Sequence, residues 1–291
     1  MPLGWPEWLL AVLLGLIVGS FLNVLIHRLP RMLEAAWEAD HAAWLLVQQD
    51  VPGHHPATQQ TAQRFDLWLP ASHCPACNTP LRWFENFPLL GYLWLRGRCA
   101  HCGARISPRY PLVELASAAL AAYCAWRYGL TLQALAWFGF GATLLSLALI
   151  DWDTTYLPDS LTLPLLWAGL LAAAAGLTIT PLPQAVWGAA IGYASLRLVY
   201  EIFLRLTGRE GMGHGDFKLY AAIGAWLGWP ALLPVLLVAS VSGLVVGLML
   251  NFSGRLGEQG QLPFGPFLAL GGALGWILGS NWLLQLLAQA R

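Results

Sequence analysis

Charge is what this sequence has least of. Asp, Glu, Lys and Arg make up only 10% of its 291 residues, while 57% are hydrophobic and mean hydropathy is +0.58. Soluble domains carry about 25% charged residues, so the composition excludes a free soluble enzyme and a disordered chain. Neither sign is in excess, with fifteen basic and fifteen acidic residues. A nucleic-acid binder relying on a basic field is therefore excluded as well. No basic residue precedes the first apolar run and no small-x-small site follows it, so that run is expected to be a membrane span rather than a cleaved signal. Also missing are a strand-loop-helix nucleotide fingerprint and a P-loop Lys-Ser/Thr, which leaves no cofactor site legible by motif.

What the sequence has in quantity is apolar runs of spanning length, about 20 residues each. Seven qualify: Trp8–Ile26, Leu112–Tyr128, Leu132–Ile150, Leu161–Leu177, Gln184–Leu206, Ala231–Phe252 and Phe264–Leu287. An eighth, Lys218–Trp229, is closed by Pro230. It would rise only about 18 Å and is expected to be tilted, broken or partly re-entrant. The expected fold class is an all-α polytopic membrane protein with about eight transmembrane helices and a small zinc-binding cytoplasmic subdomain.

Orientation follows from Lys and Arg, which favour the cytoplasmic side. Residues 27–111, between the first two spans, hold eight of the fifteen basic residues. Alternating from there, Arg205, Arg209, Lys218 and Arg255 fall on the same side; Arg127 and Arg291 fall opposite, and Arg197 lies within a span. That side is expected to face the cytoplasm, with both termini outward. The expected organisation is a first transmembrane helix over 1–26, a cytoplasmic insert over 27–111 and a transmembrane catalytic domain over 112–291. Within the insert, Met32–Gln49 is amphipathic and suited to the membrane surface, and Val51–Gln63 has linker composition.

Residues 72–107 carry a metal pattern. Cys74-Pro-Ala-Cys77 and Cys99-Ala-His-Cys102 are two C-x2-C knuckles separated by 21 residues, a spacing that closes a tetrahedral thiolate site around zinc. The alternatives are two disulfides, which rarely persist in the cytoplasm, and a redox C-x-x-C, which lacks a thioredoxin-like context here. Four ligands leave no open position for water, so the zinc would be structural, stapling a subdomain too small to make its own core. Cys124 stands alone in an apolar span and reads as packing.

Two carboxylates stand where charge is expensive. The third span ends in Asp151-Trp152-Asp153, and the short span opens with Gly211-Met212-Gly213-His214-Gly215-Asp216. One membrane hairpin separates Asp151 from Asp216, so both return to the same face. Ionisable residues at spans mark function by default. Two carboxylates meeting at low dielectric cannot both ionise and share a proton; one then serves as base to a water while the other polarises a carbonyl. The competing reading is a pair of solvated interfacial charges. The glycines are expected to allow φ > 0 and close backbone approach, with Asp216 on an irregular loop. Asp159, after Pro158 and before an apolar run, reads as a helix cap.

These residues together resemble the type IV prepilin peptidases, bacterial inner-membrane aspartic proteases of the GxGD class. The likeness covers nearly the whole chain in order: Gly19-Ser20-Phe21-Leu22-Asn23-Val24, the four cysteines, Arg109-Tyr110-Pro111-Leu112-Val113-Glu114, Ile150-Asp151 through Leu157-Pro158-Asp159, Gly211 to Leu219, and Pro263-Phe264-Gly265-Pro266. The resemblance implies that Asp151 and Asp216 are the catalytic pair. It also implies cleavage of the basic leader of prepilins and pseudopilins after a glycine, at the cytoplasmic face. Members with the cysteine-bearing domain commonly also N-methylate the new N-terminal residue from S-adenosylmethionine. Candidates for the methyl-donor site are Glu85, Asn86, Gly97, Arg98, Arg109 and Glu114. Glu114, just inside the second span, is otherwise expected to pair with Arg109 or with another span, and Arg197 with Glu201 at i, i+4.

A rival from another class is a proton- or cation-coupled transporter using the paired aspartates. Such proteins show repeated halves with broken helices, and no partner to the short span occurs in the first half of the chain. A zinc-bearing membrane scaffold without chemistry leaves the Gly-rich loop unexplained.

Overall fold

The computed structural model describes residues 4–48, 65–254 and 262–279. The linker composition at Val51–Gln63, Arg255, Arg291 and the last turns of the final predicted span lie outside the described residues. Regular structure among the described residues is helical: α1 (Trp5–Gln48), α2 (Leu90–Trp94), α3 (Arg109–Tyr128), α4 (Leu132–Thr154), α5 (Asp159–Ala174), α6 (Leu182–Thr207), α7 (His214–Leu227), α8 (Leu232–Phe252) and α9 (Gly265–Leu278), with a 3-10 turn at Trp229–Ala231. Among the described residues each of the eight apolar runs is helical over most of its length. Three are long and apolar enough to cross a membrane on length and composition: Trp5–Leu45, Leu132–Thr154 and Trp229–Phe252. On α8, Leu233, Leu237, Val241, Leu244 and Met249 stay exposed, an apolar surface that hydrocarbon, not water, satisfies.

The chain forms two compact units, residues 1–126 and 127–291. In the first, α1 does not stop where apolar sequence stops. It continues through Pro30 to Gln48 as one 44-residue helix, joining the first span to the amphipathic stretch. Gly15 and Gly19 lie against α3: a Cβ at either would come within 2.6 Å of the Cα of Ala118 or Glu114. Small residues four apart let two helices meet backbone to backbone where no hydrophobic effect drives them together. Ser20 then hydrogen-bonds to Glu114, and Asn23 Nδ2 donates to the Tyr110 carbonyl at 3.0 Å. Glu114, buried, also accepts from the backbone N–H of Leu89 at 2.7 Å. The Gly-Ser-Phe-Leu-Asn run thus holds α1 on α3. Arg28, also buried, donates to the carbonyls of Asp66 and Pro70 at 2.9 and 2.7 Å and pins the insert to α1.

The second unit is organised around α7. Fourteen residues rise about 21 Å, too short to cross about 30 Å of hydrocarbon, yet eleven of them are buried. Neighbouring helices sheathe it. Gly188 of α6 and Gly224 of α7 abut so closely that a Cβ on Gly188 would lie 2.2 Å from the Gly224 carbonyl oxygen. Trp226 Nε1 donates to the Leu165 carbonyl of α5 at 2.9 Å, and Tyr220 donates to the Leu232 carbonyl at 2.6 Å. Trp137, Phe140, Trp226 and Trp276 pack ring on ring with centroids 4.9–6.0 Å apart. Of the expected tilted, broken or partly re-entrant forms, the broken one is corrected: α7 is continuous and ends at Gly228, φ 81°, before the 3-10 turn. Arg197 and Glu201 pair at 2.5 Å as their spacing predicts.

Candidate active site and metal centre

Two carboxylates are buried in the second unit. Asp151 lies in the last turn of α4 and is 4% exposed; Asp216 lies in the first turn of α7 and is 6% exposed. They are close enough for their charges to interact. Leu157, in the turn between α4 and α5, is the spacer. A Cβ on Gly215 would press to 2.6 Å from Leu157 Cβ, and one on Gly265 would come within 3.2 Å of Leu157 Cδ1. The short Gly-x-Gly-Asp and Leu-Pro-Asp runs thus interlock, and the aspartates of both are carried into one region.

Each carboxylate is also set at the start of a helix, where free N–H groups and the dipole favour negative charge. Gly265, the first residue of α9, donates its N–H to Asp151 Oδ2 at 2.9 Å. Asp216 sits on the first turn of its own helix, and its Oδ1 is buried with no hydrogen-bonding group among the described residues. Leaving such an atom unmatched costs about 1–3 kcal/mol or more, and native proteins accept that mainly where the group has other work.

The sequence did not reveal the role of Gly265. Its signal was the Pro263-Phe264-Gly265-Pro266 run, but nothing in that run says that it meets a residue 114 positions earlier. A Cβ here would lie 2.6 Å from Asp151 Oδ2, so Gly265→Ala must displace the carboxylate or the helix start. Misplacing a reacting group by about 1 Å can cost about 100-fold. A loss of that order in turnover, with KM little changed, is expected from steady-state cleavage of a leader-bearing peptide substrate. Unchanged turnover would show that Asp151 does not need this contact.

Three local expectations are corrected. Asp216 is not on an irregular loop: Gly213 is the residue before the helix and Asp216 lies three residues in, because α7 begins at His214. Gly211, Gly213 and Gly215 do not take positive φ. Their use is close approach, to Leu157 at Gly215 and to the Phe203 ring at Gly211. Asp159 does not cap α5, whose N-cap is Pro158. It accepts instead from Lys218, the single lysine of the sequence, at 2.6 and 2.7 Å. That ion pair ties the first turn of α5 to α7 two residues beyond Asp216. His214 packs against Tyr200 and Phe217 at 5.1 and 5.6 Å.

In the first unit the four cysteines converge. The sulfurs of Cys74, Cys77, Cys99 and Cys102 all lie within 4.8 Å of one another, positioned to bind a metal ion. Two matching turns place them. Cys74 N donates to Thr79 O and Cys99 N to Ala104 O, at 3.0 and 2.8 Å; the next residues after each knuckle, Asn78 and Gly103, take φ of 55° and 70°. Those are the residue types that tolerate the left-handed region. A tetrahedral site with sulfurs about 2.3 Å from zinc has edges of about 3.8 Å, and Cys74 Sγ lies 3.8 Å from Cys102 Sγ. Hydrogen bonding from the Thr79 hydroxyl and backbone pulls the Cys77 thiol down to about 6, and the backbone N–H groups of Cys102 and His101 lower Cys99. Both effects favour the thiolate, the form that binds metal. The donor set fits zinc. Cys124 is 1% exposed in α3 and is packing.

The methyl-donor candidates lie on the short segment around α2 and at the start of α3. Glu85 accepts from the Arg82 N–H and Glu114 from the Leu89 N–H. Gly97 and Arg98 line an open cavity of about 500 Å3 with Tyr92, Arg96, Arg105 and Ser107. The charged residues lining that cavity are all arginines, which would attract the carboxylate of S-adenosylmethionine and repel its sulfonium.

Comparison with known proteins agrees with this division. Residues 13–128 match the model of the bacterial peptidase A24 N-terminal domain, and residues 138–248 match that of the type IV leader peptidase family. A protein of Burkholderia pseudomallei (strain 1026b) named prepilin leader peptidase/N-methyltransferase is 49% identical over 276 residues, covering 95% of this chain and 87% of that protein. Proteins of the same name from Pseudomonas putida and Dickeya chrysanthemi are 48% and 50% identical, covering 94% and 93% of this chain and 91% and 93% of their own lengths. No solved structure matches. The transporter alternative gains no support from these relatives. With buried aspartates on α4 and α7, a four-cysteine cluster in the N-terminal unit and near-half identity over almost the full length, the chain belongs to the type IV leader peptidase family.

Proposed function

We propose that this protein is an endopeptidase of the bacterial inner membrane that removes the leader of prepilins and pseudopilins after a glycine, with Asp151 and Asp216 as its catalytic pair. The observation that carries this reading is the burial of two carboxylates within reach of each other's charge, one fixed by the Gly265 N–H and the other with a buried oxygen that has no hydrogen-bond partner among the described residues. One carboxylate takes a proton from the attacking water, whose oxygen bonds to the scissile carbonyl carbon. The other, carrying the shared proton, donates to the carbonyl oxygen. As the C–N bond breaks, the leaving amine takes the proton first removed from water, and a hydroxyl of the tetrahedral intermediate returns its proton to the other carboxylate, which restores the shared proton and leaves the new carboxyl terminus. The substrate's apolar helix packs among about eight spanning helices, while its basic leader lies on the cytoplasmic side with the basic insert.

The four cysteines hold a structural zinc that fixes the turns of residues 72–107. Methylation of the new amino terminus is the second activity, and S-adenosylmethionine supplies the methyl group when bound. Purified protein incubated with a prepilin and S-adenosylmethionine is expected to give one product with the leader removed after glycine and 14 mass units added at the new N-terminus. Mass spectrometry of that terminus reads both steps. An intact leader would overturn the peptidase assignment, and an unmethylated product would overturn the second activity.

A further inference from the structure

The cavity beside the cysteine turns is left unused by this chemistry. Arg96, Arg98 and Arg105 line it together with Tyr92 and Ser107, and no acidic residue does. Among the described residues none of the three arginines has an ion-pair partner. Three like charges around one cavity repel one another, and an anion relieves that. Two further features say where the anion comes from. The lining ends at Pro108, immediately before α3 begins at Arg109, so the cavity adjoins the segment that enters the bilayer. The short helix α2, which supplies Tyr92, exposes Leu90, Leu93 and Trp94, the last at 81%. Exposed tryptophan and leucine beside unpaired arginines suit the headgroup layer, where rings and aliphatic side chains sink toward the acyl chains and guanidiniums meet phosphate.

We propose that this cavity binds the phosphate of an anionic phospholipid headgroup and docks the cysteine-bearing subdomain on the membrane surface. Arginine suits the role because its planar fork donates two hydrogen bonds to phosphate oxygens at once. The exposed face of α2 provides the apolar part of the contact.

The test is lipid binding to the full-length protein in detergent, read by native mass spectrometry against phosphatidylglycerol, phosphatidylcholine, glycerol phosphate and inorganic phosphate. Wild type is expected to retain phosphatidylglycerol selectively. The variant R96Q/R98Q/R105Q is expected to bind it about a hundredfold more weakly, given the attraction of each juxtamembrane arginine for an anionic surface. R31Q/R82Q/R209Q, which removes equal charge elsewhere, is expected to bind as wild type does. Because Arg98 adjoins Cys99, metal content is measured in parallel. Arg96→Gln and Arg105→Gln alone, which leave the cysteine neighbours intact, should each weaken binding about fivefold. Undiminished binding in the triple and single variants would overturn the proposal, as would equal loss in the charge-matched control. Displacement of the lipid by glycerol phosphate or inorganic phosphate at similar concentration would assign the cavity to a free phosphate and overturn the lipid.

Discussion

Asp151→Asn and Asp216→Asn are each expected to lower leader cleavage by about 10³-fold or more while leaving the protein folded and inserted. General acid–base catalysis contributes about 10²–10⁴-fold, and the loss of either carboxylate leaves one group where the reaction needs both a base and an acid. Asparagine is the stringent substitution at Asp151 because its amide oxygen still accepts from the Gly265 N–H, so the local structure persists when the chemistry does not. At Asp216 the amide replaces a carboxylate that is buried with one oxygen lacking a hydrogen-bond partner among the described residues, and stability should hold or rise. The measurement is cleavage of a prepilin by reconstituted enzyme, with unfolding followed in the same preparation. Cleavage at wild-type rate by either variant would remove that residue from the pair. If both variants cleave normally, the zinc-bearing scaffold reading returns.

Loss of the metal is expected to be as damaging, but to a different activity. Cys99→Ser should reduce bound zinc from one per chain to near none and make residues 72–107 sensitive to protease. Structural zinc contributes about 10–16 kcal/mol in small peptides, and this subdomain has little else. Its two bridges, His73 with Pro80 and Arg98 with Arg105, are isolated, and α2 is five residues long. Trp83, Trp94, Leu90 and Leu93 are exposed rather than packed into a core. Because Asp151 and Asp216 belong to the other unit, methylation should fall at least tenfold further than cleavage. Product mass spectra report both rates from one reaction. Equal loss of the two activities would refute the separation.

How far the sequence could be read differs from residue to residue. The eight helices were legible because helix formation in apolar surroundings is a local matter: each span satisfies its own backbone. The cysteine cluster was legible because two short turns dictate where four sulfurs point. Asp159 reads as a cap for the same reason in reverse. Its sequence neighbours are those of a cap, and its partner Lys218 is 59 residues away. The glycines before Asp216 were assigned positive φ, a local property, when their use is the approach of Leu157 and Phe203 from other elements. The end of α1 was placed where charge begins, although a helix needs no apolar face to continue and α1 runs on to Gln48.

By itself the sequence determined that the chain is helical with apolar runs of spanning length, that four cysteines are positioned to bind a metal ion and that two aspartates stand at the ends of apolar helices. Each of these follows from spacing along the chain. Only the tertiary structure decided what the aspartates touch. The Gly265 N–H on Asp151, Leu157 between two glycines, the Lys218–Asp159 pair beside α7 and the three unpaired arginines around one cavity all join residues distant in sequence or set by a turn. Helices in a bilayer pack through shape and backbone contact rather than through a hydrophobic pattern, and such contacts leave no period to read.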